Sequence, residues 1–529
     1  MKRRDFLLAS SGLAALLAAA PTDWLWAADA PHDDPLAAMK LAWTAQFQWS
    51  NIVEVTRAPG DSVDEKLANA QAMVAMNGGG VVFFPAGTYR FKDSVKLLDG
   101  VVLRGAEPGS IRSAQHEKYA LTTMFEFPKY EFSPDGDGTP IVSAFKGIYL
   151  AKPGTASNVG VVNIDINRGH IHFHDDGTEA HKAGRNRVVF GCVLRNAAVA
   201  DPAVPNAKIN QKNWQRFTAR HHAAIDVQAE ANILIANNRL PKSGDDNFTM
   251  NGFVLLDTKK KETTADGIVF DYDNRSAMYV NHYGIGGAGG GGPDGTPESH
   301  PHGFRKGIEI RGNFIFNTGR MGIGFCGDGV RCVNNVIRFP DDVWRPTATG
   351  QALTSGSSTN DNRAIEMRGW RWVVDGNDYQ VHRNWAFDRK YKINDGEGLM
   401  HEDHVNSTIH DSVLTNNRGN TYLSLYKTAG IDGLLVEGND IRLGDGKQTI
   451  ANAAAIYVNA DRNNARFPVR RVEILKNTVA GGGILLSGDP SEKNVIQGNK
   501  HVGNGKAPLT LKAAANVSAN DGFEKEKSQ

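Results

Sequence analysis

The stretch Ile308-Glu-Ile-Arg-Gly-Asn313-Phe-Ile315 joins two short apolar segments through a Gly-Asn pair, and the same phrase returns along the chain. The asparagines that end these phrases are Asn313, Asn335, Asn377, Asn417, Asn439, Asn477 and Asn499. Successive positions differ by 22, 42, 40, 22, 38 and 22 residues. These steps indicate one unit of about 22 residues, or two such units with a loop in one of them. Earlier copies end at Asn196 and Asn238.

A repeat of this length is typical of a solenoid. The alternation Ile308-Glu-Ile310 is a strand signal, and Gly and Asn tolerate the left-handed backbone that a sharp corner requires. The consensus of leucine-rich repeats is absent. Because stacked coils place equivalent corners above one another, the recurring Asn predicts an all-β, right-handed parallel β-helix whose coils are stable only when stacked. We expect inserted loops at residues 107–146, 202–222 and 286–295.

Composition is compatible with one long domain. The 529 residues carry a formal net charge of +1, which gives no reason to expect a nucleic-acid partner. A chain of this length ordinarily forms several domains, but a solenoid grows without dividing. We therefore expect a single β-helix domain over residues 31–505 and a polar C-terminal tail over 506–529. The three cysteines, Cys192, Cys326 and Cys332, are expected inside strands rather than in a disulfide framework.

Residues 1–30 have the pattern of an export signal. Lys2-Arg3-Arg4-Asp5-Phe6-Leu7 resembles the twin-arginine motif, and the apolar run that follows is too short to span a membrane as a mature helix. An ordinary secretory signal with chance arginines is the alternative. Both readings predict a bacterial protein that is periplasmic or secreted and has no membrane anchor in its mature form.

A helix is predicted before the first coils. Ser62-Val-Asp-Glu65 has the pattern of a capping box, and Asn77-Gly-Gly-Gly80 ends the segment. Its helix-spaced apolar positions are Leu67, Ala70, Met73, Val74 and Met76. A helix at this place closes the end of a solenoid, whose edge strand would otherwise be open to pairing.

The segment after that helix carries a family resemblance. Gly80-Val-Val-Phe-Phe-Pro-Ala-Gly-Thr-Tyr89 and Val101-Val-Leu-Arg-Gly105, together with the helix and the coil repeat, resemble the pectate-lyase-like β-helix superfamily over residues 50–505. The resemblance implies the fold. It does not select a reaction, because that superfamily holds lyases, hydrolases, epimerases and non-enzymatic adhesins.

The densest group of titratable residues is Ile393-Asn-Asp-Gly-Glu-Gly-Leu-Met-His401-Glu-Asp-His404. Its Asn-Asp-Gly-Glu-Gly portion resembles a phrase of β-helix lyases of the alginate lyase and chondroitinase B type. In those enzymes acidic residues hold a calcium ion that binds the substrate carboxylate, and a Lys and an Arg transfer protons. The resemblance implies a Ca²⁺ site at Asp395 and Glu397, with Glu397 close to the chemistry. A solvated, charge-rich turn is the alternative.

The catalytic base is open in this reading. No Lys follows Glu397 at the spacing of those lyases, so His401 and Lys427 are both candidates. Arg418 lies one 21-residue coil after Glu397 and is the expected charge stabiliser, or the base if the lyase resemblance is close. Tyr422 lies beside it as a substrate contact.

A pair of carboxylates lies in Asp271-Tyr-Asp273-Asn-Arg275. Alternation places Asp271, Asp273 and Arg275 on one face of a predicted strand, where residues two apart are about 7 Å apart. This spacing suits a calcium site or a glycosidase carboxylate pair, and equally a solvent-facing charge ladder. We expect these three residues to contact substrate.

Histidines alternate in His170-Ile-His172-Phe-His174. With Ile171 and Phe173 pointing inward, the histidines line one outer face. Such a stripe could bind a transition metal, but no ligand from a second element is identifiable. We therefore expect His172 and His174 to be exposed groups that contact sugar.

An aromatic and a cation alternate with apolar residues in Ile365-Glu366-Met-Arg368-Gly-Trp370. Glu366, Arg368 and Trp370 fall on the face opposite Ile365. An aromatic ring beside a cation on an outer face is a frequent sugar platform. An internal ion pair capped by a packed Trp is the alternative.

The sequence thus predicts an exported enzyme that cleaves an anionic, uronate-containing polysaccharide by β-elimination. Elimination needs a cation such as Ca²⁺ or Arg to neutralise the uronate carboxylate, a base for the adjacent proton and an acid for the leaving oxygen. Two alternatives remain: a glycoside hydrolase that uses a carboxylate pair, and a non-catalytic carbohydrate-binding or surface protein. Of the polygalacturonase phrases only Gly244-Asp-Asp246 is present, which disfavours that kind of hydrolase.

Overall fold

The computed structural model describes residues 32–128, 146–173, 184–195, 218–241, 256–257, 260–263, 269–272, 276–277, 280–287, 306–316, 321–338, 363–380, 409–425, 430–443, 454–462, 465–490 and 494–526. Within these residues the strands stack coil upon coil in parallel, apart from three short antiparallel pairs. The fold is a right-handed parallel β-helix, as predicted. Each coil passes through three walls in a fixed order.

Wall 1 is the first of these series of parallel strands. Its strands are Ile52–Glu54, Gly80–Phe84, Val101–Gly105, Val159–Val162, Arg185–Phe190, Ala231–Ala236, Lys306–Arg311, Arg331–Val333, Val373–Asp375, Val495–Gln497 and Asn516–Ser518. Three longer strands, Ile409–Thr415, Ile431–Glu437 and Pro468–Leu475, run into wall 1 through the corner that precedes it. The short strand Asp489–Pro490 pairs with the start of the last of them.

Wall 2 follows wall 1 in the coils between the first wall 1 strand, Ile52–Glu54, and the last, Asn516–Ser518. Its strands are Gly87–Arg90, Thr123–Glu126, Asp165–Asn167, Val193–Arg195, Arg239–Leu240, Phe314–Phe316, Val336–Arg338, Asp378–Gln380, Arg418–Gly419, Asp440–Arg442, Thr478–Ala480 and Lys500–His501.

Wall 3 completes the coil. Its strands are Val95–Leu97, Gly147–Leu150, His170–Phe173, Thr218–Val227, Val280–Gly287, Met321–Asp328, Arg363–Trp370, Leu423–Leu425, Ala454–Asn459, Gly483–Ser487, Ala507–Leu511 and Phe523–Lys525. The antiparallel pairs are Leu256–Asp257 with Ser276–Ala277, Lys260–Thr263 with Val269–Tyr272, and Asp461–Arg462 with Ala465–Arg466.

The predicted helix is present over Val63–Met76 and begins with a capping box between Ser62 and Glu65. Leu67, Ala70, Met73 and Val74 are buried in the main core, so the helix covers the start of the solenoid. Met76 was predicted on the same face but is 67% exposed, because the helix ends there and the chain turns away through Asn77. Short 3-10 helices occupy Ala37–Met39, Ala42–Gln46 and Val55–Arg57.

A ladder of asparagines holds the corner between wall 1 and wall 2. In a typical rung, Asn417 Nδ2 donates to the Val374 carbonyl and to Asn439 Oδ1, both at 2.9 Å. Asn417 Oδ1 accepts from the backbone N–H (3.0 Å) and Nδ2 (2.9 Å) of Asn377. The ladder consists of Asn238, Asn313, Asn335, Asn377, Asn417, Asn439, Asn477, Asn499 and Asn520.

The residue before each rung takes the left-handed backbone, for example Gly376 (φ 65) and Asn416 (φ 55). The corner therefore divides the predicted role between two residues, one that turns the chain and one that bonds the coils. In the earlier copy the corner is Gly191-Cys192 rather than Asn196, which lies outside the described residues. Buried Cys192 occupies the rung position, and its N–H donates to Asn238 Oδ1 at 2.9 Å.

Each step between ladder asparagines is a single coil. Asn335 and Asn377 are 42 positions apart, yet Asn335 Nδ2 donates directly to Asn377 Oδ1 at 2.9 Å. The interpretation of the long steps as two units is therefore wrong. They are one coil with a long insertion, since a hydrogen bond of this length leaves no room for another coil between them.

The insertions border wall 3. From residue 163 onward each corner from wall 1 to wall 2 has two residues, for example 237–238 and 334–335. By contrast, residues 127–146, 196–217, 241–279 and 339–362 separate wall 2 strands from wall 3 strands, and 174–184 and 288–305 separate wall 3 strands from wall 1 strands. The chain therefore leaves the coils at both ends of the wall 3 strands.

The outward face of wall 1 is covered in the first coils. Leu36, Phe47 and Trp49, from the segment that precedes the first strand, are at most 7% exposed. They belong to one apolar cluster with outward residues of wall 1, among them Val81, Phe83, Val102, Val162, Val188 and Leu234. This segment occupies the surface that wall 1 would otherwise offer to a ligand.

Four predicted boundaries need correction. Thr123–Glu126, a strand of wall 2, lies inside the loop predicted at 107–146. Thr218–Val227 begins inside the loop predicted at 202–222, and Val280–Gly287 ends inside the loop predicted at 286–295. The solenoid also continues beyond residue 505, because Ala507–Leu511 pairs with Gly483–Ser487 and Phe523–Lys525 pairs with Ala507–Leu511. The predicted polar tail thus forms the last coil, in which buried Ala507 and Leu509 supply the inward positions.

Candidate functional site

One row of residues on the outward face of wall 3 concentrates the chemistry of the described coils. Direct cross-strand partners, one per coil, connect its members in sequence. The row consists of Lys96, Tyr149, His172, Asp226, Gly286, Gly324 and Glu366. We call it the polar row.

The interior of the same strands explains why the polar row faces outward. A second register row, offset by one residue, joins Ile148, Ile171, Ile225, Ile285, Ile323 and Ile365. All six side chains are 0% exposed and belong to the main core. Because successive residues of a strand point to opposite faces, this isoleucine row turns the polar row outward.

Tyr149 and Lys96 form the first end of the polar row. Lys96 is exposed, and its Nζ lies 4.5 Å from the centroid of the Tyr149 ring, in a cation–π contact. Burial raises the pKa of Tyr149 to about 12. The phenol is therefore protonated at neutral pH and can donate a proton or a hydrogen bond.

His172 follows Tyr149, and their rings meet edge to face with centroids 5.5 Å apart. His172 Nε2 lies 2.9 Å from the carbonyl oxygen of Ala223. Since a carbonyl can only accept, Nε2 carries the proton, and in the neutral imidazole Nδ1 is the basic nitrogen. His170 Nδ1 approaches the same oxygen at 3.3 Å, and the two imidazoles are 5.1 Å apart.

The prediction that the histidines are exposed is wrong. His170 is 1% and His172 5% exposed, although both lie on the outward face. Burying imidazole is costly unless its nitrogens are hydrogen-bonded, and the Ala223 carbonyl supplies one such bond to each ring.

The second part of the polar row has two carboxylates that flank two glycines. Asp226 is 3% and Glu366 4% exposed. Between them lie Gly286 and Gly324, so the carboxylates are three coil steps, or about 14 Å, apart at the backbone. The predicted outward direction of Glu366 is confirmed, since Ile365 and Met367 on either side of it are in the core.

The two other residues predicted to form a sugar platform with Glu366 are Trp370 and Arg368, and both belong to the same strand. Trp370 is half-buried at the end of the strand and contacts the His410 ring edge to face at 5.0 Å. One outward position, Arg368, lies between Trp370 and Glu366, so the two residues are about 13 Å apart along the strand. Arg368 belongs to the same strand and pairs in register with Cys326.

The coil-length argument for Arg418 is wrong. Its cross-strand partner one coil earlier is Asp378, 40 positions away, because that coil contains an insertion. Its partner in the next coil is Asp440, so the exposed Arg418 lies between two acidic positions of wall 2. Tyr422 is half-buried and packs against the main core, and its role as a substrate contact stays a prediction.

Asp271 lies in a hairpin rather than in a coil. Its strand, Val269–Tyr272, is antiparallel to Lys260–Thr263, with Lys261 opposite Asp271. This hairpin belongs to the insertion that precedes the wall 3 strand Val280–Gly287. The predicted residues that lie outside the described part of the chain are Asp273, Arg275, His174, Asp395, Glu397, His401 and Lys427.

Metal ligands do not form a group in the described coils: no three His, Cys, Asp or Glu side chains there are arranged to hold an ion. The Ca²⁺ site at Asp395 and Glu397 stays a prediction. Among the described residues, no helix is long and apolar enough to cross a membrane.

Sequence reasoning missed Lys96, Tyr149 and Asp226. Asp226 follows Ile225 in an alternating segment, but the coil that separates it from His172 is 54 residues long, well beyond the repeat of about 22. Lys96 lies 53 residues before Tyr149 for the same reason. A search for titratable residues one position after an inward isoleucine would have found Tyr149, His172, Asp226 and Glu366 together.

Comparison with known proteins finds similarity in fold only. No family model and no curated protein matches the chain. Among solved structures, the chain is similar to PfbA, a surface adhesin of Streptococcus pneumoniae, with 13% identity over 88% of this chain and 91% of that chain and a TM-score of 0.41.

Two further solved structures show the same degree of likeness. The A-module of the mannuronan C-5 epimerase AlgE6 of Azotobacter vinelandii is 13% identical over 90% of this chain and 100% of that chain, with a TM-score of 0.34. A tailspike protein of E. coli bacteriophage HK620 is 12% identical over 87% and 68%, with a TM-score of 0.40. Identities this low concern the fold alone.

Proposed function

We propose that this protein binds an extended anionic polysaccharide along the polar row and cleaves it by β-elimination. The observation that carries the proposal is the contact between Tyr149 and His172, 5.5 Å apart, with Lys96 over the Tyr149 ring. Elimination from a uronate requires an acid, a base and a positive charge near the sugar carboxylate. These three residues supply one group of each kind on consecutive coils.

The shape of the polar row favours a polymer. Its seven members span six coil steps of about 4.8 Å, so the row is about 29 Å long and follows the solenoid axis. A small molecule would contact two or three of these coils. A sugar chain laid along the axis would contact all of them.

In the proposed reaction, Nδ1 of His172 takes the proton from C5 of the uronate. The electron pair forms the C4–C5 double bond, the C4–O4 bond breaks, and Tyr149 donates its proton to the leaving oxygen. His172 then returns a proton to the phenolate, so water is not consumed. Lys96 faces the carboxylate and stabilises the negative charge that develops on it.

Glycoside hydrolysis is the second candidate, because Asp226 and Glu366 are both carboxylates of the polar row. Hydrolases place their two carboxyl groups about 5 to 9.5 Å apart. The backbone separation of about 14 Å exceeds this range, so the pair must reach toward each other to serve. Elimination needs no such reach, since Tyr149 and His172 are already in contact.

The test mixes the purified protein with a panel of uronate-containing and neutral polysaccharides. It follows ultraviolet absorbance of the unsaturated product together with new reducing ends. Elimination raises both signals, whereas hydrolysis raises reducing ends alone. His172→Ala should abolish the absorbance change, and His116→Ala, at an exposed histidine outside the walls, should not. Reducing ends without absorbance, or full activity of His172→Ala, contradicts the proposal.

The predicted export signal is compatible with this function, and the predicted Ca²⁺ site can be tested in the same assay. Export would bring the protein to the periplasm or the exterior, where it would meet such polymers. A chelator should suppress activity if the predicted Asp395 and Glu397 hold Ca²⁺, and activity should persist if Lys96 alone meets the carboxylate.

A further inference from the structure

One imidazole lies inside the solenoid, at the end of a row of core residues. Cross-strand partners on the inward face of wall 2, one per coil, lead from Leu240 to His501. The members between them are Ile315, Ile337, Tyr379, Gly419, Ile441 and Val479. All side chains of the row before His501 are 0% exposed and belong to the main core, and His501 is 7% exposed. A titratable ring therefore takes the inward position in the last strand of wall 2.

The chain that follows closes over this ring. The backbone N–H of His501 donates to the Asp521 carbonyl at 2.9 Å, and the Phe523 ring meets the imidazole edge to face with centroids 6.0 Å apart. Gly522 has a φ of 77, and a Cβ atom there would lie 2.9 Å from the His501 carbonyl oxygen. This close approach requires glycine. We call residues 516–526 the terminal coil.

The terminal coil has strand partners on one side only, among the described residues. Asn516–Ser518 pairs with Val495–Gln497, and Phe523–Lys525 pairs with Ala507–Leu511. Val517 points inward in line with the core but is 37% exposed, because no further coil of the described chain covers it. Segments at the end of a stack open at lower free-energy cost than central ones. A modest cost inside the contact is therefore enough to release the terminal coil.

The buried imidazole imposes such a cost when it is protonated. Nε2 of His501 has no hydrogen-bond partner among the described residues. Protonation makes this nitrogen a donor, and a buried donor without an acceptor is costly. Burial accordingly lowers the pKa of His501 below its ordinary value, and a hydrogen bond with the Gly505 backbone opposes this shift only in part.

The charges around the ring do not offset the charge of an imidazolium. The charged residues of the elements packed against His501 are all exposed, and they comprise three cations and two carboxylates. They are Lys500, Lys506, Asp521, Glu524 and Lys525. The strand before His501 in wall 2, Thr478–Ala480, has no charged residue. Protonation therefore leaves a positive ring inside the end of the core.

We propose that His501 is a pH-sensitive switch that releases the terminal coil. The neutral imidazole packs beneath Phe523 as part of the core, whereas the protonated ring reaches water only when the terminal coil detaches. Detachment opens the edges of Val495–Gln497 and Ala507–Leu511, which can then pair with another chain. The detached state binds the proton more readily than the docked state. Docking is therefore favoured above the ordinary pKa of histidine, about 6.5, and weakens as the pH falls below it.

Hydrogen exchange of the full chain, measured by mass spectrometry, tests this switch. Exchange is compared at about pH 7.5 and about pH 5, on either side of the ordinary pKa of histidine, after correction for the intrinsic rate. The backbone N–H groups of Asn499, His501 and Ala507 donate to the terminal coil and report its docking. Their protection should fall by about tenfold or more at the lower pH. Protection of the Asn417 N–H, three coils earlier in the ladder, should not change.

Three variants complete the test. His501→Ile continues the aliphatic row and cannot be protonated, so the terminal coil should be equally protected at both pH values. His501→Gln is also uncharged and replaces it should isoleucine fail to pack. His116→Gln removes an exposed histidine and should keep the wild-type response. Unchanged protection in wild type, a full response in a folded His501 variant, or an equal fall at Asn417 overturns the proposal.

Discussion

His172 and Asp226 are direct cross-strand partners in adjacent coils, although 54 positions separate them in the chain. Both are at least 95% buried on an outward face, with Tyr149 on one side and Gly286 on the other. A carboxylate on the strand beside an imidazole stabilises the protonated ring by its charge, without a hydrogen bond to either nitrogen. We therefore propose that Asp226 acts on His172 through its charge within the proposed reaction.

Asp226→Asn tests that role. It should lower kcat by about 10² to 10⁴-fold and shift the acid limb of the pH–rate profile to lower pH, because the imidazolium of His172 loses a neighbouring negative charge. The measurement is kcat and kcat/KM between pH 5 and 9. An unchanged profile with a reduced kcat would indicate a structural role alone.

Tyr149→Phe removes the proposed acid while it keeps the ring against His172 and Lys96. We expect kcat to fall by about 10² to 10⁴-fold, with little change in the melting temperature at neutral pH. Tyr457→Phe is the matched control, since Tyr457 belongs to a later strand of wall 3 and bonds to Asn459. Equal losses in both variants would argue against a specific role for Tyr149.

The same tyrosine should make stability sensitive to alkali. Burial raises its pKa to about 12, above the unfolded value of about 10. Its contribution to stability is present below the unfolded pKa and is lost as the pH rises through the folded pKa. Wild type should therefore lose more thermal stability than Tyr149→Phe between about pH 10 and 12, measured by circular dichroism.

Asn417→Ala tests the asparagine ladder. The substitution leaves the N–H of Asn377 and the carbonyl of Val374 without their partner in a buried corner. The expected loss of unfolding free energy is about 2 to 4 kcal/mol, measured by urea denaturation. Asn520→Ala removes the last rung, which is only partly buried, and should cost less. Equal costs would show that rung position is immaterial.

Arg187 is a buried cation that joins three coil corners from inside. Its guanidinium donates to the carbonyl oxygens of Ala156 (3.2 Å), Phe173 (2.9 Å) and Gln228, and its exposure is 0%. Arg187→Met should destabilise the fold by about 2 to 5 kcal/mol, because it removes the hydrogen bonds of a charged donor to three carbonyl oxygens in the core.

The control for Arg187 is Arg187→Lys, which keeps the charge. It should recover only part of the loss, because a single ammonium lacks the planar fork that reaches several acceptors. Thermal unfolding of wild type, Arg187→Lys and Arg187→Met should give melting temperatures that decrease in this order. Full recovery by Lys would mean that charge alone matters at this site.

Asp432 should make the C-terminal coils sensitive to acid. It binds Arg470 and Arg471, both at 2.6 Å. Burial raises the pKa of Asp432, but the hydrogen bonds from Arg471 and Arg470 outweigh burial and lower it. Its contribution to stability is present above the unfolded pKa of about 3.9 and is lost as the pH falls through the folded pKa. The excess melting temperature of wild type over Asp432→Asn should thus disappear in acid.

The sequence determined the fold because its signals are local and repeated. Alternation around Ile308-Glu-Ile310 predicts strands, Asn at each corner predicts stacking, and the capping box at Ser62 predicts the end helix. Alternation also placed Glu366 outward, since neighbouring residues of a strand always take opposite faces.

Only the tertiary structure decided which residues are neighbours across coils. Insertions make the coils unequal, so Arg418 meets Asp378 rather than a residue 21 positions earlier, and Gly286 belongs to a strand rather than a loop. The polar row from Lys96 to Glu366 exists through inter-coil hydrogen bonds that fix register one strand at a time. Local alternation in the sequence determines which side chains of a strand point outward. The register of strands across an insertion depends on contacts between distant segments, which no local pattern encodes.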